Sequence, residues 1–254
     1  MLNRDGVDLF YAEAGSGEPP VLLVHGWTCD HTAMTPLFNY FRRSRRVVTV
    51  DLRGHGESDK PEQEYSMAVF ADDLAWMCKE LNLEKPIVIG HSMGGVIAVK
   101  LAAQYPDLPG AVVTLDSPVV PTAPLLQSVT PLLQQFRTPA FRELQGPFVD
   151  GMFLPTDNAE RKARVKAGML NTPQYVAASA FEQVFKDPES GVRACRVPLL
   201  VLDATIPLSD QARLRELCPH VVTGQTVGAG HFHQLEVPEQ ITAMVERFLS
   251  ISSL

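Results

Sequence analysis

Ile87-Val88-Ile89-Gly90-His91-Ser92-Met93-Gly94-Gly95-Val96-Ile97-Ala98 is the stretch from which the rest of the chain can be read. The run Ile87 to Ile89 predicts a buried strand, and Val96-Ile97-Ala98 opens an apolar helix. Between them, Gly90 to Gly95 predicts a sharp turn. A serine at such a turn has its hydroxyl pushed out above the sheet edge, while the flanking glycines leave room for a tight backbone and a close helix. Glycine-flanked serines also occur by chance. Here strand, turn and helix follow in the order that exposes a nucleophile.

Outward from this turn, further apolar runs lie at Val7 to Tyr11, Val21 to Val24, Val47 to Val50, Ala111 to Leu115, Leu199 to Leu202 and Val221 to Val227. Helical spacing separates most of them. Val69, Leu74, Met77 and Leu81 mark a helix over Ala68 to Leu81, Val96 to Tyr105 is another, and Ile241, Met244, Val245 and Phe248 mark the last. Buried strand runs alternating with amphipathic helices predict an α/β fold, a mainly parallel sheet with helices on both faces. The alternation stops between Val119 and Arg196. There Leu125, Val129, Leu132, Leu133 and Phe136 sit at helical spacing, as do Val176, Ala180, Phe181 and Val184, and seven prolines from Pro121 to Pro173 are expected to cut the segment into short helices. The expected organisation is a core of residues 1–118 and 197–254 with a helical cap of residues 119–196, whose apolar stripes partly roof a pocket.

Composition narrows the classes. A chain of 254 residues with 45% hydrophobic and 20% charged residues is long enough for a sizeable core. A formal net charge of -7 argues against general nucleic-acid binding. The one basic cluster, Arg42-Arg43-Ser44-Arg45-Arg46, is expected to be a solvated helix end. Neither a signal-like apolar core at the amino terminus nor a bilayer-length apolar stretch is evident, so a membrane role is not expected. Four scattered cysteines, Cys29, Cys78, Cys195 and Cys218, read as reduced, packed thiols of a cytoplasmic protein, with Cys29 expected to line the pocket.

A serine hydroxyl needs a base and donors for the oxyanion. The base expected is His231, in Gly228-Ala229-Gly230-His231-Phe232, a loop after the last strand run that reaches the carboxyl ends of the strands. His233 is the alternative; the small residues before His231 suit a tighter loop. The donors expected are the N–H groups of Met93, after the serine, and Trp27, in the loop Val24-His25-Gly26-Trp27-Thr28. The Trp27 side chain is a second candidate for the pocket wall.

With His25-Gly26-Trp27, Asp51-Leu52-Arg53-Gly54-His55-Gly56-Glu57-Ser58, Gly90 to Gly95, and Gly230-His231 followed by Glu236-Val237-Pro238-Glu239, the chain resembles the α/β-hydrolase fold family over nearly its full length. The resemblance implies a structural loop at Asp51 to Ser58, read here with Asp51 and Arg53 as ion-pair partners. It also implies a triad acid after the strand Leu199 to Leu202. That segment, Asp203-Ala204-Thr205-Ile206-Pro207-Leu208-Ser209-Asp210, departs from the family pattern, because Asp203 comes early and Asp210 late, at a helix start. A minority of the family takes its acid from the preceding strand end, here Asp116. Asp116 is favoured, with Asp203 and Asp210 left open. The function expected is serine-dependent hydrolysis of an ester, lactone or related acyl bond in a small apolar or aromatic molecule. No metal or organic cofactor is implied, and the oligomeric state is left open. Two alternatives stand. One is a cofactor-independent dioxygenase of 3-hydroxy-4-quinolone-type rings, a branch resembled at Gly26-Trp27, Asp30-His31 and Pro207-Leu208-Ser209 but not at Met93. The other is a hydrolase-like ligand receptor.

Overall fold

A computed structural model describes residues 1–254. In chain order its strands are β1 (Leu2–Arg4), β2 (Val7–Leu9), β3 (Tyr11–Ala14), β4 (Val21–Val24), β5 (Val47–Val50), β6 (Ile87–His91), β7 (Ala111–Leu115), β8 (Leu199–Asp203) and β9 (Val222–Gln225). Its helices are α1 (Thr35–Phe41), α2 (Met67–Glu80), α3 (Met93–Gln104), α4 (Ala123–Gln135), α5 (Phe141–Asp150), α6 (Ala159–Leu170), α7 (Gln174–Val184), α8 (Glu189–Ala194), α9 (Gln211–Leu217), α10 (His233–Glu236) and α11 (Pro238–Ile251).

Seven strands form one sheet in the order β3-β5-β4-β6-β7-β8-β9, with β3 antiparallel and the others parallel. The interior strands are buried on both faces, which is why they read as unbroken apolar runs. Alternation still sorts their side chains. Val21, Leu23, Ile87, Ile89, Val113 and Leu202 pack with Leu37 and Phe41 of α1 and Val245 and Phe248 of α11. Leu22, Val24, Val88, Val112 and Val201 face the other way, onto Phe70 and Leu74 of α2, Ile97 and Leu101 of α3, and Val192 of α8. The α/β class expected from the sequence is borne out.

Register places the functional loops. Val24 lies beside Gly90, His91 beside Leu115, and Leu115 beside Leu202. Asp203 lies beside Gln225, so five strands end along one rim, and the loops after β4, β6, β7, β8 and β9 gather there.

Three expectations need correction. Val7 to Tyr11 is not one strand. It breaks at Phe10, whose N–H donates to Ser58 Oγ at 2.8 Å and whose carbonyl accepts from Asp51 N–H at 3.0 Å. Its first half pairs instead with β1, across a turn in which Asp5 and Gly6 both have positive φ (52° and 83°). Val221 to Val227 shortens to the half-buried edge strand Val222 to Gln225, whose last ladder bond runs from Thr226 N–H to the carbonyl of Asp203 at 3.0 Å. Pro131 and Pro147 lie inside α4 and α5 rather than between helices. A proline deletes one helical N–H and bends the preceding turn, which short helices on the surface tolerate.

Between β7 and β8 the chain is helical from α4 to α8. Its entry is tied down by Thr122 N–H to Leu208 O (3.0 Å) and Asp210 N–H to Val120 O (2.7 Å). α8 packs directly on α3: a methyl group at Gly191 would lie 2.9 Å from Val99 Cγ2. The basic residues Arg42 and Arg43 follow α1 and are exposed, as a solvated helix end. No helix is long and apolar enough to cross a membrane.

Candidate active site

Ser92 stands at the carboxyl end of β6 with φ 54° and ψ -120°, a backbone conformation that strains a residue bearing a side chain. The strain is held by neighbours. Ser92 N–H donates to Leu115 O at 2.9 Å, and its carbonyl accepts from Gly95 N–H at 3.0 Å, starting α3. Gly94 lets α3 approach the end of β4, since a Cβ there would lie 2.6 Å from His25 O.

Asp116 ends β7 in the left-handed region, φ 43°. Its N–H donates to Leu202 O at 2.7 Å, and its Oδ1 accepts from Ala204 N–H at 3.0 Å. The turn aims the other carboxylate oxygen at His231. Nδ1 of His231 lies 2.6 Å from Asp116 Oδ2, and Nε2 lies 3.0 Å from Ser92 Oγ. A carboxylate accepts only, so Nδ1 carries the proton and Nε2 is free to accept from the serine hydroxyl. The His231 backbone is fixed from two sides: its N–H donates to Met152 O just after α5 (3.2 Å), and its carbonyl accepts from His91 Nε2–H (2.8 Å).

The competing residues are occupied elsewhere. Asp203 meets the side-chain amide of Gln211, and Asp210 caps α9 through Ala212 N–H and Arg213 N–H, both at 3.0 Å. His233 is fully buried with Nδ1 3.0 Å from Thr226 Oγ1, and burial pushes its pKa down to about 4. Neither aspartate shares a hydrogen bond with His231.

The N–H groups of Trp27 and Met93 donate to no protein acceptor. Met93 is the first residue of α3, so its N–H is one of the helix's unpaired amino-terminal donors, at the positive end of the dipole. Trp27 also works through its side chain. Nε1–H donates to Ala177 O of α7 at 2.7 Å, and the indole stacks on Phe136 with 5.8 Å between ring centroids and 8° between planes.

Above the serine lies a cavity of about 500 Å³ roofed by α4, α5 and α7. Phe148, Phe153, Phe181 and Phe185 line it with Leu125 and Val129, and Asp116 and His231 are its ionisable groups; no lysine or arginine reaches it. Two expectations fail here. Cys29 does not line the cavity; it is packed in the core, and burial drives its thiol pKa far upward. Asp51 and Arg53 are not partners. Arg53 makes a two-pronged pair with Asp73 (2.6 and 2.7 Å), which Arg4 joins at 2.8 Å, whereas Asp51 accepts from His31 N–H (2.6 Å) and Glu57 N–H (2.8 Å). Asp51 is thereby consumed folding its own loop, and the guanidinium turns outward to α2. No cluster of His, Cys, Asp and Glu is placed to hold a metal ion.

A sequence profile of the alpha/beta hydrolase fold matches residues 19–238. The chain belongs to the α/β-hydrolase fold family. This hydrolase is similar to the 2-(acetamidomethylene)succinate hydrolase of Mesorhizobium japonicum, with 28% identity over 96% of this chain and 92% of that one. Among solved structures, a thermophilic esterase from Thermogutta terrifontis matches with a TM-score of 0.83 and 25% identity, over 97% of this hydrolase and 94% of the esterase. An enol-lactonase from Burkholderia xenovorans LB400 also has a TM-score of 0.83, at 24% identity over 97% and 98% of the two chains; that likeness is one of fold.

Proposed function

We propose that this hydrolase cleaves esters or lactones of neutral, apolar acyl groups through a covalent intermediate on Ser92. Ser92 Oγ attacks the carbonyl carbon as its proton passes to His231 Nε2, 3.0 Å away. The N–H groups of Trp27 and Met93 receive the oxyanion. Asp116 orients the imidazole and stabilises the imidazolium that forms. His231 then protonates the leaving alcohol, and the same nitrogen deprotonates the water that releases the acid. The helices of residues 119–196 act as the lid that selects the acyl group.

The observation that carries this reading is the serine–histidine–aspartate relay opening into a cavity without a lysine or arginine. The substrate named for the Mesorhizobium relative is a succinate, a dicarboxylate. Burying two carboxylates beside apolar walls without a cation is costly, which supports an uncharged acyl group here.

The test is fluorophosphonate labelling followed by a panel of short, long and aromatic p-nitrophenyl esters. Labelling of the wild type is expected to vanish in Ser92→Ala, and kcat in Asp116→Asn to fall about 10⁴-fold. An unlabelled wild type inert toward the panel would sink the reading, and oxygen uptake with a 3-hydroxy-4-quinolone would replace it.

A further inference from the structure

Asp203 closes β8, one strand over from Asp116. The two strand ends are laced together: Asp116 N–H donates to Leu202 O at 2.7 Å, and Ala204 N–H donates to Asp116 Oδ1 at 3.0 Å. Both aspartates are almost wholly buried, at 1% and 2% exposure. Two carboxyl groups thus stand at neighbouring positions on one dry rim, and no lysine or arginine pairs with either.

Asp203 has one side-chain partner, Gln211 at the start of α9, whose Nε2 meets Asp203 Oδ2. The other oxygen of each group is unpartnered. Asp203 Oδ1 and Gln211 Oε1 are both buried, and neither has a donor. The surrounding elements offer none. Gln225 of β9 gives its amide to the carbonyls of Ala204 (3.0 Å) and Thr205 (3.1 Å). Thr226 turns its N–H to the Asp203 carbonyl, and His233 of α10 is engaged by Thr226. The charged group that faces Asp203 is Asp116 itself, of its own sign.

One proton resolves both vacancies. We propose that Asp203 is held as the neutral acid, its Oδ1–H donating to Gln211 Oε1 while Gln211 Nε2–H donates to Asp203 Oδ2, so that this closed acid–amide pair leaves Asp116 as the one carboxylate charge beneath His231. Asp203 is then a positioning residue. It anchors the strand end that supplies Ala204 N–H to Asp116 without setting a second negative charge beside it. Burial first, and the charge of Asp116 second, push Asp203 up to about 7, against the opposing pull of the Gln211 bond. The service to Asp116 rests on the function proposed above; the proton on Asp203 does not.

Carbon-13 detection of side-chain carboxyl groups, with the Asp203 signal assigned by its loss in Asp203→Asn, reads the proton directly. The signal is expected at the neutral-acid position at pH 5.5 and at the ionised position at pH 8.5. An ionised signal at pH 5.5 would overturn the proposal. The asparagine amide in Asp203→Asn replaces the acid O–H toward Gln211, so this variant is expected to keep kcat within about tenfold of wild type, far from the 10⁴-fold loss of a triad acid. A loss as deep as that of Asp116→Asn would overturn it. The folded chain holds a proton that the unfolded chain releases near its ordinary value, so this stabilisation is present at low pH and fades as pH rises through about 7. Asp203→Asn is therefore expected to melt several degrees above wild type at pH 8.5, with the gap closing by pH 4; a gap independent of pH would count against the stored proton. A neutral-acid signal in a chain inert toward every ester keeps this inference and removes the functional reading alone.

Discussion

His91 donates its Nε2–H to the backbone carbonyl of His231 at 2.8 Å, joining the residue before Ser92 to a loop 140 residues further on. Burial first, and the neighbouring His231 second, hold His91 well below the usual imidazole range, so it stays neutral with its proton on Nε2. Its other nitrogen is unpartnered and rests against Gly26, where a Cβ would lie 2.9 Å away. This one ring therefore ties together the loops that carry Ser92, His231 and Trp27. His91→Ala is expected to lower kcat about 10²-fold with little change in KM, the scale of loss that accompanies a misplacement near 1 Å. His91→Gln, which keeps a donor, should recover part of it. Steady-state kinetics on a p-nitrophenyl ester decide; an unaltered kcat in the alanine variant would show that the remaining ties, Met152 on His231 and Glu236 and Thr205 on the residues before it, hold the loop without His91.

Gly26 is the second tight point. A Cβ on it would come within 3.1 Å of Ser92 Cβ as well as crowding His91. Gly26→Ala is expected to push the Trp27 N–H away from the oxyanion position and cost about 10²- to 10³-fold in kcat, the price of one donor. Circular dichroism should show the fold retained. Wild-type turnover would place the oxyanion elsewhere.

Charge selection by the cavity can be moved from its rim. Ser128 lines the cavity yet is exposed on α4, so a longer side chain fits without disturbing the core. Ser128→Arg is expected to raise kcat/KM for a carboxylate-bearing ester relative to its neutral analogue by about tenfold, equivalent to about 1.4 kcal/mol of selective binding. Unchanged selectivity would mean that acyl groups do not extend toward α4.

Acid should destabilise this hydrolase through its buried histidines. Burial drives His55 down to about 3 and His233 to about 4, and lowers His25 and His91 as well. Below pH 6.5 the unfolded chain takes up protons that the folded chain refuses, so stability falls with falling pH until the folded values are reached. His233 alone contributes about 3 kcal/mol to that loss between pH 6.5 and 4. Thermal melting across that window should show a steep decline in Tm, shallower in His233→Gln. An equal slope in wild type and His233→Gln would refute the burial argument, since the opposing gain from Asp203 is common to both.

Much of this was legible in order and spacing. The turn at Ser92 announced itself because strand, glycines and helix must be contiguous to build it. His231 was legible because the last loop before the last helix opens at the same rim. Gly26-Trp27 followed from the same logic, since each needs a local backbone shape written in adjacent residues. The cavity lining, the Arg53–Asp73 pair and the engagement of His91 were not legible, because each joins residues far apart in the chain whose meeting depends on packing.

The sequence by itself determined the strand–helix alternation, the parallel α/β class and the two loops that present Ser92 and His231, because hydrophobic period and turn chemistry are local properties. Only the tertiary structure showed which of Asp116, Asp203 and Asp210 meets His231. All three are acids near strand ends, and what separates them is the direction in which the backbone aims the side chain and which donors already stand there. Asp116 turns its free oxygen to His231 through a left-handed backbone, Asp203 closes on Gln211, and Asp210 is spent on the first turn of α9.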